Sequence, residues 1–128
     1  MIPVAQTIYV VDDDASVCNA LRRLLKSANY RVQIYGSAEE FRLADFKGNP
    51  GCLVLDIRLP GISGFELQEE LQATGVRMPV IFITGHDRAG MEEQAMMLGA
   101  TAYLRKPFDE EALLGAIRMA IKSLSNQQ

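Results

Sequence analysis

The chain has one histidine, two cysteines and no excess of basic residues, and each shortage narrows what it can be. A lone histidine, His86, cannot found a histidine-based metal centre. Cys18 and Cys52 form no C-x-x-C pair and have no histidine at metal spacing. They read as two small buried hydrophobes in a reducing compartment rather than as a disulfide. Lysine and arginine number 13 against 16 acids, a net charge of −3, so no domain-wide positive field draws nucleic acid or an anionic membrane. No apolar run approaches the roughly 18 residues of a membrane span. Residues 1–6 lack the basic segment and long apolar run of a secretory signal, and a cytoplasmic protein is expected. Internal repeats and low-complexity tracts are missing too.

What is present is a single domain's worth of globular sequence: 128 residues, 48% hydrophobic and 23% charged. Short β-branched runs alternate with longer helical patterns five times. Thr7-Ile8-Tyr9-Val10-Val11 is the first run. A helix follows, with Asp14 as its N-cap and Val17, Ala20, Leu21, Leu24, Leu25 and Ala28 as its apolar stripe, ended by Asn29. Arg31-Val32-Gln33-Ile34-Tyr35 alternates as a half-buried strand and suits a sheet edge. Ser37-Ala38-Glu39-Glu40 reads as a capping box opening a second helix, which Gly48-Asn49-Pro50-Gly51 terminates.

Cys52-Leu53-Val54-Leu55 and Val80-Ile81-Phe82-Ile83 are continuously apolar, as expected of strands covered on both faces. Between them Ser63-Gly64-Phe65-Glu66 repeats the capping-box pattern. A fourth helix is expected over about residues 88–98, stopped by Gly99. A short strand over 101–104 then leads through Lys106-Pro107 to a last helix from Asp109, burying Leu113, Ile117, Ala120, Ile121 and Leu124. This alternation predicts an α/β fold, a flavodoxin-like (βα)5 sandwich with a five-stranded parallel sheet of order 2-1-3-4-5 and helices on both faces. Residues 1–124 would form the domain and 125–128 a polar tail or the start of a linker.

In such a sheet, ligands bind beyond the carboxyl ends of the strands. The first strand delivers Asp12-Asp13-Asp14 there, the third Asp56, the fourth Thr84 and the fifth Lys106. Up to three carboxylates would crowd within several ångströms, each like-charge pair costing about 1 kcal/mol in water and about 4 at intermediate dielectric. A protein keeps such a cluster when a cation neutralises it, and magnesium fits hard oxygen ligands beside a phosphate. Lys106 and Thr84 suit a phosphoryl oxygen, so the rim looks built to receive phosphate on a carboxylate. Each group has a plainer reading alone: Asp56 as a loop acid, Thr84 as a helix cap, Lys106 as a solvated charge. Jointly those readings are poor.

Val10-Val11-Asp12-Asp13-Asp14, the stretch Leu55-Asp56-Ile57-Arg58-Leu59-Pro60-Gly61-Ile62-Ser63-Gly64, Ile83-Thr84-Gly85-His86 and Lys106-Pro107-Phe108 resemble the signature segments of response-regulator receiver domains of two-component systems. Thr84-Gly85-His86 and Ser37-Ala38-Glu39-Glu40-Phe41 are most similar to the FixJ-type subgroup. The resemblance implies that Asp56 accepts a phosphoryl group from a sensor histidine kinase. It implies Mg2+ held directly by Asp13, Asp56 and the backbone carbonyl of Arg58, with Asp12 acting largely through water. Lys106, joined to Pro107 by a cis bond, would pair with Asp56. Thr84 would swing to the phosphoryl oxygen and Tyr103 would rotate inward as a switch, changing the surface of helix four, strand five and helix five.

The implied protein is a signalling receiver and no multiple-turnover enzyme. It would form a phosphorylation-promoted homodimer through helix four and strand five, with DNA bound only by a separate C-terminal domain. Asp14 reads as a cap, since three consecutive acids cannot all face one ion. On the strand pattern by itself Tyr103 reads as packing, His86 and Arg58 are expected to tune autodephosphorylation, and Met91, Met96 and Met97 read as helix packing that could in part face a partner. Gly61 and Gly64 read as turn geometry and close helix approach. Two alternatives stay open. Asp12-x-Asp14-x-Ser16 resembles the nucleophile segment of haloacid-dehalogenase phosphatases, although Asp56 would then have no role and no cap excludes water. The other is a degenerate receiver that is never phosphorylated.

Overall fold

The computed structural model describes residues 6–44 and 51–125. In chain order its elements are β1 (Thr7–Val11), α1 (Ala15–Ser27), β2 (Arg31–Tyr35), α2 (Ala38–Arg42) and β3 (Gly51–Asp56). They continue as α3 (Gly64–Ala73), β4 (Val80–Thr84), α4 (Met91–Met97), β5 (Ala102–Arg105) and α5 (Glu110–Ser125). The strands pair in parallel in the order β2-β1-β3-β4-β5, as the alternation predicts. Apolar runs without a polar side must be covered twice, and β1, β3 and β4 are buried at every position. The less apolar β2 is an edge, and β5 is the other.

The two-residue strand period sends alternate side chains to two cores. Ile8, Val10, Val54, Ile81 and Ile83 face α1 and α5, against Leu21, Leu25, Leu113 and Ile117. Tyr9, Val11, Leu53, Leu55 and Phe82 face the other way, against Phe41 of α2, Phe65 and Leu67 of α3, and Ala95 of α4. Each such aliphatic side chain contributes about 1.5–3 kcal/mol. Both cysteines are free and buried. Among the described residues, no helix is long and apolar enough to cross a membrane.

The helix starts are where local chemistry meets the expectation most closely. Asp14 Oδ1 accepts from the amides of Ser16 (2.9 Å) and Val17 (3.4 Å). The Ser63–Glu66 box closes in both directions. At Ser37 only half of the box forms: its hydroxyl accepts from the Glu40 amide, but the Glu40 carboxylate accepts from Gly36, 2.8 Å away, and not from Ser37. Ser37 is the more extended cap (φ −154° against −75° for Ser63), and the glutamate reaches one residue further upstream.

Other expectations need correction. The buried centre of α1 is Cys18, Leu21 and Leu25, while Ala20 is exposed. In α5, Leu113, Ile117 and Ala120 are fully buried but Ile121 and Leu124 only partly so, with Ala116 joining the core. Residues 48–50 of the supposed α2 terminator lie outside the described residues; the helix itself is capped at Leu43. Gly51 is no turn residue. It sits in β3 opposite Thr7, whose carbonyl oxygen would be 1.9 Å from a Cβ, so the close β1–β3 approach demands glycine. Helix α4 begins at Met91 rather than near 88, because Gly90 is left-handed (φ +88°) and interrupts the helical path. Its other end meets α3: the Gln68 and Gln72 amides both donate to the Leu98 carbonyl, at 3.1 and 2.8 Å. Of the three methionines read as packing, Met91 touches the core, but Met96 is 45% and Met97 86% exposed.

Candidate functional site

Strands β1 and β3 lie side by side and both run into aspartate at their carboxyl ends. The Asp12 amide still donates to the Tyr35 carbonyl (3.1 Å), extending the β1 ladder and holding that residue at 1% exposure. Asp56 is the last residue of β3 and 5% exposed, whereas Asp13 is exposed. One oxygen from each of Asp12, Asp13 and Asp56 lies within 4.8 Å of the others.

Lys106 enters from the end of β5, its amide donating to the Thr84 carbonyl (2.7 Å) and its bond to Pro107 cis. Its ammonium reaches Asp12 Oδ2 at 2.8 Å and Asp56 Oδ2 at 3.4 Å. Each carboxylate therefore has one oxygen on the ammonium and the other on a loop amide. Asp12 Oδ1 accepts from Asp14 N (2.9 Å) and Asp56 Oδ1 from Arg58 N (3.3 Å). The Cys18 thiol donates to the Asp12 carbonyl (3.2 Å) from below. Above them opens a cleft of about 640 Å³, lined by Asp13, Asp56, Arg58, His86 and Lys106 among others.

Burial, and then the neighbouring Asp12 charge, push the Asp56 carboxyl up to about 6; Lys106 opposes them only partly. Burial alone would pull the Lys106 ammonium down, but its bonds to Asp12 and the charges of both acids outweigh that, and its net shift is upward. Lys106→Met leaves two adjacent buried carboxylates without their cation. Breaking a fully buried ion pair costs about 3–5 kcal/mol. Because the Lys106 side chain is 19% exposed, about 1–3 kcal/mol is expected at pH 7. The loss should shrink at pH 5, below the Asp56 value of about 6, where a protonated Asp56 no longer needs the ammonium. Urea unfolding at both pH values checks this, and an equal loss at each would refute the electrostatic account.

The structure thus brings together Asp12, Asp13, Asp56 and Lys106, with Arg58 at the cleft wall. Thr84 and Tyr103 bond elsewhere. Thr84 is fully buried at the end of β4, its hydroxyl accepting from the His86 amide (3.0 Å). Tyr103 is 6% exposed, its ring already buried, and its hydroxyl donates to Asp87 in the β4–α4 loop. Burial, then that carboxylate, push its phenol up to about 12. Arg105 pairs with Asp87 (2.7 Å) and with Glu92 (3.2 Å), and its guanidinium lies 5.5 Å from the centre of the Tyr103 ring. Asp87, Glu92 and Arg105 carry no motif. The only sequence signal is that Tyr103 and Arg105, two apart on a strand, share a face. Gly64 has a tight role: a Cβ there would lie 2.3 Å from the Asp56 carbonyl oxygen, so α3 packs against the loop backbone itself.

Residues 8–118 match the family described as the response regulator receiver domain. The response regulator protein TodT of Pseudomonas putida is 41% identical over 124 residues, covering 97% of this chain and 55% of TodT. The transcriptional regulatory protein FixJ of Azorhizobium caulinodans is 41% identical over 125 residues, 98% of this chain and 59% of FixJ. The chain spans little more than half the length of these relatives. Among solved structures, the response regulator StyR superposes with a TM-score of 0.90 at 44% identity, covering 97% of this chain and 63% of StyR. The crystal structure of FixJ-N gives a TM-score of 0.83 at 34% identity, covering 92% of this chain and 94% of that one.

Proposed function

Because the chain belongs to the response regulator receiver family, the signalling receivers of two-component systems, we propose that it accepts a phosphoryl group on Asp56 from the phosphohistidine of a sensor kinase. The observation that carries this reading is the convergence of three carboxylates and one ammonium at the ends of β1, β3 and β5. Oxygen donors within 4.8 Å of one another fit a magnesium ion. Asp13, Asp56 and the Arg58 carbonyl would hold it, with Asp12 behind them. When bound, the ion offsets the charge of the carboxylates and of the incoming phosphoryl group.

The chain's own groups supply the rest. An Asp56 carboxylate oxygen forms the new bond to phosphorus as the phosphorus–nitrogen bond of the donor breaks, and the electron pair leaves with the imidazole. Lys106, already shared between Asp12 and Asp56, stays beside the added oxygens. Thr84 turns its hydroxyl from His86 to the phosphoryl group, and the switch holds Tyr103 in the inward position that its ring already occupies. His86 and Arg58, at the cleft wall, set how fast water reaches the acyl phosphate. The change reaches the α4-β5-α5 surface, where exposed Met96 and Met97 support a phosphorylation-promoted homodimer through α4 and β5.

The relatives named as transcriptional regulators favour an output on transcription through a DNA-binding domain beyond this chain. The domain is proposed as residues 1–124 of a cytoplasmic protein. Of the tail at 125–128, residues 126–128 lie outside the described residues. The test is transfer from a labelled phosphohistidine donor with magnesium. One acid-labile phosphoryl group per chain, mapped to Asp56, is expected. Many turnovers of a generic phosphate ester would point to a phosphatase instead, and no label with no beryllofluoride binding to a degenerate receiver.

A further inference from the structure

A buried tyrosine hydroxyl needs a partner, and a ring on an edge strand has the alternative of turning out to water. Tyr103 stands on β5, at the sheet edge, yet only 6% of it is exposed. What holds it comes from a different element. Asp87, in the loop between β4 and α4, accepts the Tyr103 hydroxyl with one carboxylate oxygen and the Arg105 guanidinium with the other. Arg105 in turn lies over the Tyr103 ring and reaches Glu92 in the first turn of α4. Tyr103, Asp87 and Arg105 thus form a closed cycle of contacts, a clamp on the aromatic ring, to which Glu92 is attached through Arg105.

The two ends of α4 differ in a way that gives this clamp leverage. At the C-terminal end, two amides from α3 fix the Leu98 carbonyl. At the N-terminal end the cap is Gly90, left-handed and without a side-chain bond to the free amides. There, Arg105 ties Glu92, and through Asp87 the preceding loop, to β5. That loop also contains His86, whose amide holds the Thr84 hydroxyl.

We propose that Asp87 is a positioning residue that keeps Tyr103 in its buried rotamer and, with Arg105, joins the first turn of α4 to β5. The inference rests on the phosphoacceptor reading only for its consequence. If the signalling state uses the buried ring, Asp87 lowers the cost of reaching it, and losing the carboxylate weakens a ligand that binds only that state by the factor by which its population falls. The pairs are partly exposed, so their effect is modest and is read as a ratio.

The experiment uses the whole chain with ring-labelled tyrosine and a titration of beryllofluoride in magnesium. The Tyr103 resonance is identified by its loss in Tyr103→Phe. In the wild type one buried ring environment is expected; in Asp87→Ala a second, solvent-accessible one appears. The beryllofluoride midpoint rises about three- to tenfold in Asp87→Ala. It rises less than threefold in Asp87→Asn, whose carboxamide oxygen still accepts the hydroxyl. Tyr103→Phe alone raises it as well, and Asp87→Ala adds little on that background, because both remove one interaction. An unchanged ring signal in Asp87→Ala, or independent additive effects of the two substitutions, overturns the proposal. Should beryllofluoride fail to bind the wild type, the phosphoacceptor reading fails while the ring signals still judge the clamp. Asp87→Leu, close to aspartate in shape but without an acceptor, provides the same comparison if the alanine variant folds poorly.

Discussion

Asp56→Asn is expected to end phosphoryl transfer, with label incorporation below about 1% of wild type, and at the same time to make the fold more stable at pH 7. The first effect follows from replacing the nucleophilic carboxylate by a neutral carboxamide. The second follows from the raised carboxyl, at about 6 in the fold against 3.8 as the ordinary value. Such a group binds its proton more tightly in the folded chain than in the unfolded one. Its contribution to stability is therefore fully present below 3.8 and falls as pH rises, until the folded carboxyl has ionised above about 6. At 1.36 kcal/mol per unit the ionised form costs up to about 3 kcal/mol.

Asparagine escapes that cost but loses the contact with Lys106, which keeps Asp12 as its nearer partner at 2.8 Å. A net gain of about 1–2 kcal/mol at pH 7 is expected, several degrees in melting temperature for a domain of this size. Melts of both proteins without magnesium between pH 4 and 7.5 check it. The curves should converge toward pH 4, and a wild type that gains on the variant as pH rises would contradict the burial argument.

The second large effect concerns a residue with no side chain. In Gly64→Ala the new Cβ would lie 2.3 Å from the Asp56 carbonyl oxygen and 2.9 Å from Ile57 Cα. Both are main-chain atoms, and the Gly64 amide is itself bonded to the Ile57 carbonyl (2.8 Å), so no flexible side chain can yield. Either the start of α3 or the Asp56 loop must move. A loss of about 3 kcal/mol or more is expected, at the upper end of what overpacking costs.

The site shifts with the loop. A displacement of 1 Å can cost on the order of a hundredfold in rate, so phosphorylation by a small donor such as acetyl phosphate should slow at least about tenfold in the fraction that remains folded. Gly75→Ala is the contrast. It places an alanine at φ +79° with nothing within 4 Å of the Cβ, so only about 1 kcal/mol of backbone strain and an unchanged phosphorylation rate are expected. Equal behaviour of the two variants would show that the contact with the Asp56 carbonyl is not what glycine serves.

These two residues differ in how readable they are. Asp56 follows a continuously apolar strand, and in a parallel sheet every such strand opens on the same rim, so its chemistry could be read from order alone. Asp12, Asp13 and Lys106 were legible for the same reason, and so were the N-caps at Asp14 and Ser63, which depend on bonds over two or three residues. Glu40 shows where even local reading stops, because a change in one φ angle redirected its carboxylate to Gly36. The left-handed Gly90 likewise shortened α4 inside a stretch whose composition reads as helix from about 88.

Determined by the sequence itself were the alternation of strands and helices, the parallel order that follows from it, and the collection of acids and an amine at one edge. These rest on periodicity and on strand direction, which the chain carries along its own length. Only tertiary structure decided that Asp87 and Arg105 would close over Tyr103, that Gly51 would lie against the backbone of β1, and that Met96 and Met97 would face solvent. Those outcomes depend on distances between segments far apart in sequence, set by register and by the rotation of each helix on the sheet.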